Sequence, residues 1–185
     1  MAILDRTRIV EMGFASVGER VAISDKASFY DCGRISIGND VRIDDFCVLS
    51  AGAGGIFIGS NIHIAVYSSL IGTGSIRLGD FANLSSKVAI YSSTDDFSGE
   101  WMTNPTVPSS FTGVVHADVM VGRHVVIGSG SVVLPGVTLG EGVAVGALSL
   151  IKQDCEPFGV YAGVPARKIG ERKRRIIELG EQLRK

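Results

Sequence analysis

The sequence predicts an all-β solenoid, a parallel β-helix of about six triangular coils with one long loop and a C-terminal helix. Three observations predict it. First, Val121, Ile127, Val133, Leu139, Val145 and Ile151 recur every sixth residue without a gap. Two places before each later member stands a small or β-branched residue: Val125, Ser131, Val137, Val143, Ser149. Each pair brackets one residue of any character, which is strand alternation over three residues with both ends pointing inward. Second, the same six-step register extends upstream through Val17, Ile23, Phe29; Ile37, Ile43, Leu49; Ile58, Ile64, Leu70; and Leu78, Leu84, Ile90. The anchors fall in threes and every interruption falls between groups, so each group is one three-sided coil. Third, the corner between first and second faces begins with glycine in every coil: Gly18, Gly38, Gly59, Gly79, Gly122, Gly140. Glycine accepts turn dihedrals that other residues resist.

Taken in chain order, the register implies that every insertion leaves the prism at one vertex, between the third face of one coil and the first face of the next. Inward columns of Ile, Val and Leu supply the core, at roughly 25 cal/mol for each Å² of apolar surface removed from water. Cys47 falls in an inward small-residue slot. The middle residue of each strand points outward. On the third face these are Ser28, Val48, Ser69, Ala89, Val132 and Leu150, small and mostly apolar, as suits a covered surface. On the second they are Ala22, Arg42, His63, Asn83, Val126 and Ala144, with a short polar spine in adjacent coils. Residues 91–118 form the long insertion, which contains the only Trp. A loop of that length in a compact repeat is functional or disordered, and Phe97, Trp101 and Phe111 favour docking on a neighbouring subunit. Residues 152–168 read as an irregular return segment rich in Pro and Gly. From Ile169 onward Ile169, Ile176, Leu179 and Leu183 share one helical stripe. Gly180 weakens that helix by about 1 kcal/mol relative to Ala. The chain thus divides into a β-helix domain over 1–168 and a helix over 169–185.

Composition narrows the functional classes. A net charge of -1 gives no footing for nucleic acid or an acidic membrane surface. No apolar run approaches a membrane span, and the N-terminal stretch lacks an apolar signal core. Cys32, Cys47 and Cys155 form no CxxC pair and no even framework, consistent with reduced thiols in the cytoplasm.

The hexapeptide run, the loop before it and the ending VYAGVPARKIGERK resemble the left-handed β-helix acyltransferases. Asp44-Asp45-Phe46, NIHIA at His63, YSSTDDFSG, MTNPTVP and VVLPGVTLGEGVAVGALSLI resemble the sugar acetyltransferases of bacterial surface-polysaccharide synthesis, including those acting on dTDP-linked amino-deoxysugars. The resemblance covers most of residues 14–175. It implies a left-handed coil, acetyl transfer from acetyl-CoA without a metal, a homotrimer, and a site in each cleft between subunits. By motif position Ser129 and Ala147 line coenzyme A, and Lys152 and Arg167 meet its pantetheine or phosphate end, where cations suit phosphate. Galactoside-type members place a catalytic histidine early in the loop; the matching position here is about Asp95, so this chain departs from them.

A general base is still useful, because the acceptor loses a proton while attacking the thioester. His63 is the candidate, with a solvated strand residue as the alternative. His124 reads as turn filler and His116 ends the loop. Arg42 and Asn83 flank His63 as candidate substrate-binding residues. Asp95 or Asp96 orients His63 across a cleft, binds an amino group, or forms an ordinary Asx-turn; Asp44 and Asp45 are equally open. The basic cluster Arg172 to Arg175 is a solvated helix face or a phosphate attractor. Three functions follow. The first is acetyl transfer to the amino group of a nucleotide-linked aminosugar, or to a sugar hydroxyl. The second is a zinc hydratase, which requires three converging imidazoles. The third is a non-catalytic trimeric scaffold.

Overall fold

The structure, a computed structural model, describes residues 2–183. It is a three-sided parallel β-helix. First-face strands run from Ser16–Val17 through Ile35–Ile37, Ile56–Ile58, Ile76–Leu78 and Val119–Val121 to Thr138–Leu139. The third face runs from Ser28–Tyr30 to Leu150–Ile151, and the second from Ala22–Ile23 to Ala144–Val145 and beyond. The register is the one expected. Val17 pairs with Ile37, Ile58 with Leu78, Val121 with Leu139. Ile23, Ile43, Ile64, Leu84, Ile127 and Val145 align up the second face. These anchors and the small-residue slots close one continuous core, with Cys47 fully buried. β-Branched side chains suit such strands because they pack on neighbours stacked at about 4.8 Å.

The corner glycines act differently from the expectation. The left-handed backbone conformation is taken by the third corner residue, as at Asp40 (φ 56), Asn61 (φ 59) and His124 (φ 59), and not by the leading glycine. The leading glycine is needed for close approach. A Cβ on Gly38 would sit 2.5 Å from the Gly59 carbonyl oxygen, and one on Gly122 would sit 2.8 Å from the Glu141 nitrogen. Successive corners stack too tightly for a methyl group.

Four parts differ from the sequence reading. A short helix α1 (Arg6–Glu11), capped by Asp5, covers the first coil with buried Ile9, and the Arg6 guanidinium donates to the carbonyls of Val17 and Gly18. The solenoid does not stop at Ile151: Cys155 bridges to Leu139 and Tyr161 pairs with Val145, so a shortened seventh turn follows the six complete coils. Residues 152–168 are therefore not an irregular return. Gly159–Gly163 joins the second face, and Ala166–Glu171 pairs with it antiparallel. Helix α2 begins at Arg175 and runs to Leu183; Ile169 lies in the preceding strand, exposed, and residues 184–185 of the expected helix lie outside the described residues. Backbone pairing to the second-face edge satisfies 166–171 as a strand, which takes Ile169 out of the helical stripe.

Candidate active site

The polar spine of the second face is assembled as the register requires: Arg42 pairs with His63, and His63 with Asn83. Its centre is a buried carboxylate. Asp44 Oδ2 lies 2.8 Å from His63 Nε2, and Arg42 Nε donates to Asp44 Oδ1 at 2.7 Å. Asp44 is 6% exposed. Burial pushes its pKa up, but the hydrogen bonds from Arg42 and His63 outweigh burial and hold the carboxyl below its ordinary value. With Nε2–H donated to an ionised Asp44, His63 Nδ1 is left as an acceptor. The partner that orients His63 within the chain is thus Asp44. Asp45 instead faces Ser24 and Lys26. The sequence left these neighbours equivalent; the signal that separates them is corner position. Asp44 aligns with Ser24, Ala65, Ser85, Gly128 and Gly146 as the first residue after the second-face strand, each N–H donating to the coil above.

The corner between second and third faces carries the candidate coenzyme A residues. Ser129 and Ala147 stack one coil apart: the Leu148 N–H donates to the Ser129 carbonyl, and a Cβ on Gly128 would meet the Ala147 nitrogen at 2.5 Å. At the top, Lys152 and Arg167 line one cleft of about 170 Å³ beside Cys155 and Tyr161. Lys168 in the same cleft is held by Glu156 and Glu171, whereas Lys152 and Arg167 make no ion pair among the described residues.

The loop is ordered. Ser93–Thr94 pairs antiparallel with Val115–His116, and Met102 bridges to Thr112. Under it lies a cleft of about 660 Å³ lined by Ser50, Thr73, Ser93, Asp95, Asn104 and His116, among others. Ser93 Oγ and His116 Nδ1 are 2.8 Å apart. Asp95 therefore faces a ligand-sized cleft. Asp96 closes an Asx-turn: its oxygens accept from Ser98, Gly99 and Trp101, and these hydrogen bonds hold its pKa down at about 2. Neither aspartate meets His63 within one chain. The loop leaves the third-to-first vertex, and His63 lies on the second face.

His124 is a buried corner residue, its ring stacked on Phe81 at 4.7 Å. The basic cluster is structural in part. Arg172 donates to the carbonyls of His124 and Gly142, and Arg174 lies 4.6 Å from the Phe158 ring centroid. The three histidines are held apart by Asp44, Ser93 and Phe81. No group of three His, Cys, Asp or Glu among the described residues could hold a metal ion.

A family model for the bacterial transferase hexapeptide (six repeats) matches residues 114–153. The chain is 59% identical over 179 residues to a dTDP-4-amino-4,6-dideoxy-D-glucose acyltransferase of Escherichia coli, covering 97% of this chain and 93% of that one. It is 28% identical to the galactoside O-acetyltransferase of Escherichia coli K12, over 74% of this chain and 63% of that one. Among solved structures it is similar to AntD, an N-acyltransferase of Bacillus cereus, in complex with dTDP and coenzyme A, with a TM-score of 0.95, 46% identity, and 99% and 98% of the two chains covered. AntD is also solved with dTDP-4-amino-4,6-dideoxyglucose and with 3-hydroxybutyryl-CoA.

Proposed function

The chain belongs to the hexapeptide-repeat acyltransferases, left-handed β-helix enzymes that use coenzyme A thioesters, and from that premise we propose that it acylates the 4-amino group of dTDP-4-amino-4,6-dideoxy-D-glucose. The observation that carries this reading is the 59% identity to the Escherichia coli acyltransferase across 97% of the chain. Acetyl-CoA is the proposed donor. Surface-polysaccharide synthesis in the cytoplasm is the proposed setting, in line with 32% identity to a putative lipopolysaccharide biosynthesis O-acetyl transferase of Escherichia coli K12.

The reaction needs the sugar nitrogen to attack the thioester carbonyl. A C–N bond forms, the C–S bond breaks, and one proton passes from nitrogen to the coenzyme A sulfur. His63, with Nε2 on Asp44 and Nδ1 accepting, can take that proton. Arg42 and Asn83 flank the acceptor. Ser129 and Ala147 line the pantetheine arm, and Lys152 and Arg167 meet the phosphate end. The AntD structures include forms with an aspartate replaced and with a serine ten positions earlier replaced. Ser85 and Asp95 have that spacing here, and Ser85 sits at the corner one coil below Gly128. That adds Ser85 to the candidates for holding the amino group.

Ser85 and Asp95 are separated by a full third face of the same chain. A site that uses both takes Asp95 from a second subunit, which supports a homotrimer with shared clefts. The exposed aromatic side chains of the loop, Phe97 at 93% and Phe111 at 58%, are suited to that contact.

The test is release of coenzyme A from acetyl-CoA, and in parallel from 3-hydroxybutyryl-CoA, with the dTDP-aminosugar as acceptor. Turnover of a plain galactoside with none of the aminosugar overturns the N-acyl reading. His63→Asn is expected to lower kcat by about 100-fold or more, the usual scale of general-base catalysis. Full activity in that variant assigns the proton transfer to the substrate itself.

A further inference from the structure

We propose that the lowest coils of the second-to-third corner form a nucleobase subsite, in which the pyrimidine of the acceptor nucleotide stacks on Tyr67 above Phe46. The inference rests on the nucleotide-sugar reading above and adds the place where the base is bound. The third residue of this corner forms a straight edge up the molecule: Lys26, Phe46, Tyr67, Lys87, Gly130, Leu148. The order is fixed by corner hydrogen bonds, with the N–H of Tyr67 donating to the Asp45 carbonyl, Lys87 to Val66, Gly130 to Ser86 and Leu148 to Ser129.

The fold does not ask for aromatic residues on this edge. Phe46 and Tyr67 have φ of 60 and 62, a left-handed conformation that bulky side chains disfavour and that glycine accepts freely. Gly130 fills the same position with φ 72. Nor do the rings contribute to the core, since Phe46 is 45% and Tyr67 55% exposed. They stack on each other instead, with centroids 4.9 Å apart and planes at 15°. Lys26 Nζ caps Phe46 from the far side at 5.5 Å. One face of Tyr67 is thus covered by Phe46, and among the described residues no ring or cation packs on the other. A third π-system on that face continues the column, as bases do on aromatic platforms. Lys87, one coil further on, is a cation within reach of the attached diphosphate.

Two nucleobases are available to such a platform, the adenine of coenzyme A and the pyrimidine of the acceptor. Position decides between them. The coenzyme residues Ser129, Ala147, Lys152 and Arg167 occupy the upper coils. Tyr67 and Phe46 lie about 5 and 10 Å below Ser85 at the coil spacing of about 4.8 Å, on the opposite side of the reacting nitrogen. The acceptor's nucleotide is the part of the ternary complex that extends that way.

The experiment measures binding of dTDP and, separately, of coenzyme A to the full chain by calorimetry. Tyr67→Leu and Phe46→Leu are expected to weaken dTDP by about tenfold, the scale of one base-stacking contact, and to leave coenzyme A affinity unchanged. Tyr67→Trp, which keeps a ring, is expected to retain dTDP. Unchanged dTDP affinity in Tyr67→Leu overturns the subsite while wild-type turnover of the dTDP-aminosugar leaves the acyltransfer reading standing. Loss of coenzyme A affinity instead assigns the platform to adenine and overturns it equally. A wild-type protein that binds no dTDP overturns both.

Discussion

Asp44 shows how one side chain can decide a site. It is nearly buried, accepts from Arg42 and His63 together, and sits where the other coils place Ser24, Ala65 or Ser85. Replacing it with Asn removes the charge but keeps one acceptor, so Arg42 and His63 lose the anionic partner of their hydrogen bonds. Such hydrogen bonds contribute about 1.5–3 kcal/mol. Asp44→Asn is therefore expected to lower the melting temperature by several degrees, at about 2–4 °C per kcal/mol for a chain of this size. The pH dependence has a definite sign. A carboxyl depressed in the folded state contributes fully above its unfolded pKa, near 3.9, and loses that contribution as pH falls through the lower folded value. Acid melts should show the variant and the wild type converging below about pH 3.9, and a constant gap at all pH values would contradict the ion-pair account. The register places Asp44, and not Asp45, first after the second-face strand, and the fold shows that this corner position turns the carboxylate toward Arg42 and His63.

Helix α2 is the element whose sequence signals conflict. Gly180 lowers helix propensity, and on local grounds Gly180→Ala would stabilise the helix by about 1 kcal/mol. In the fold Gly180 is buried against His124, and an added Cβ would lie 2.7 Å from the imidazole Cε1. That ring is stacked on Phe81 and cannot retreat freely. Overpacking of this kind costs typically 1–3 kcal/mol, so Gly180→Ala is expected to be net destabilising. Amide hydrogen exchange over Arg175–Leu183 reads it directly: exchange should quicken, and slower exchange would mean propensity wins. The same element shows the limit of periodicity. Ile169 fits the apolar stripe of α2 by spacing, but Ala166–Glu171 pairs as a strand with Gly159–Gly163 on the second face.

At the scale of the whole molecule, the loop gives a monomer an apolar crest that its own coils do not cover. Phe97, Trp101, Met102 and Phe111 are all at least half exposed, and the third face presents small residues to whatever packs on it. We expect three chains of 19.5 kDa to sediment together at micromolar concentration. Phe97→Ser with Phe111→Ser is expected to shift the species toward monomer and to lower kcat, because in the proposed shared cleft Asp95 comes from the neighbouring subunit. A monomeric wild type with full activity would remove the shared cleft.

The solenoid was legible because each six-residue unit makes its main contacts with the units directly above and below. A local period then determines a global register, and with it the vertex of every insertion, the facing of His63 beside Arg42 and Asn83, and the stacking of Ser129 on Ala147. Tertiary contact settles the rest, where the period breaks or where two distant segments meet: the seventh turn through Cys155 and Tyr161, the strand at 166–171, and the Ser93–His116 pair under the loop. The Asp44–His63 hydrogen bond and the Phe46–Tyr67 stack belong with these. They are contacts between coils, about twenty residues apart in sequence; the register aligns the corner positions, but whether the side chains there meet is decided by how they pack.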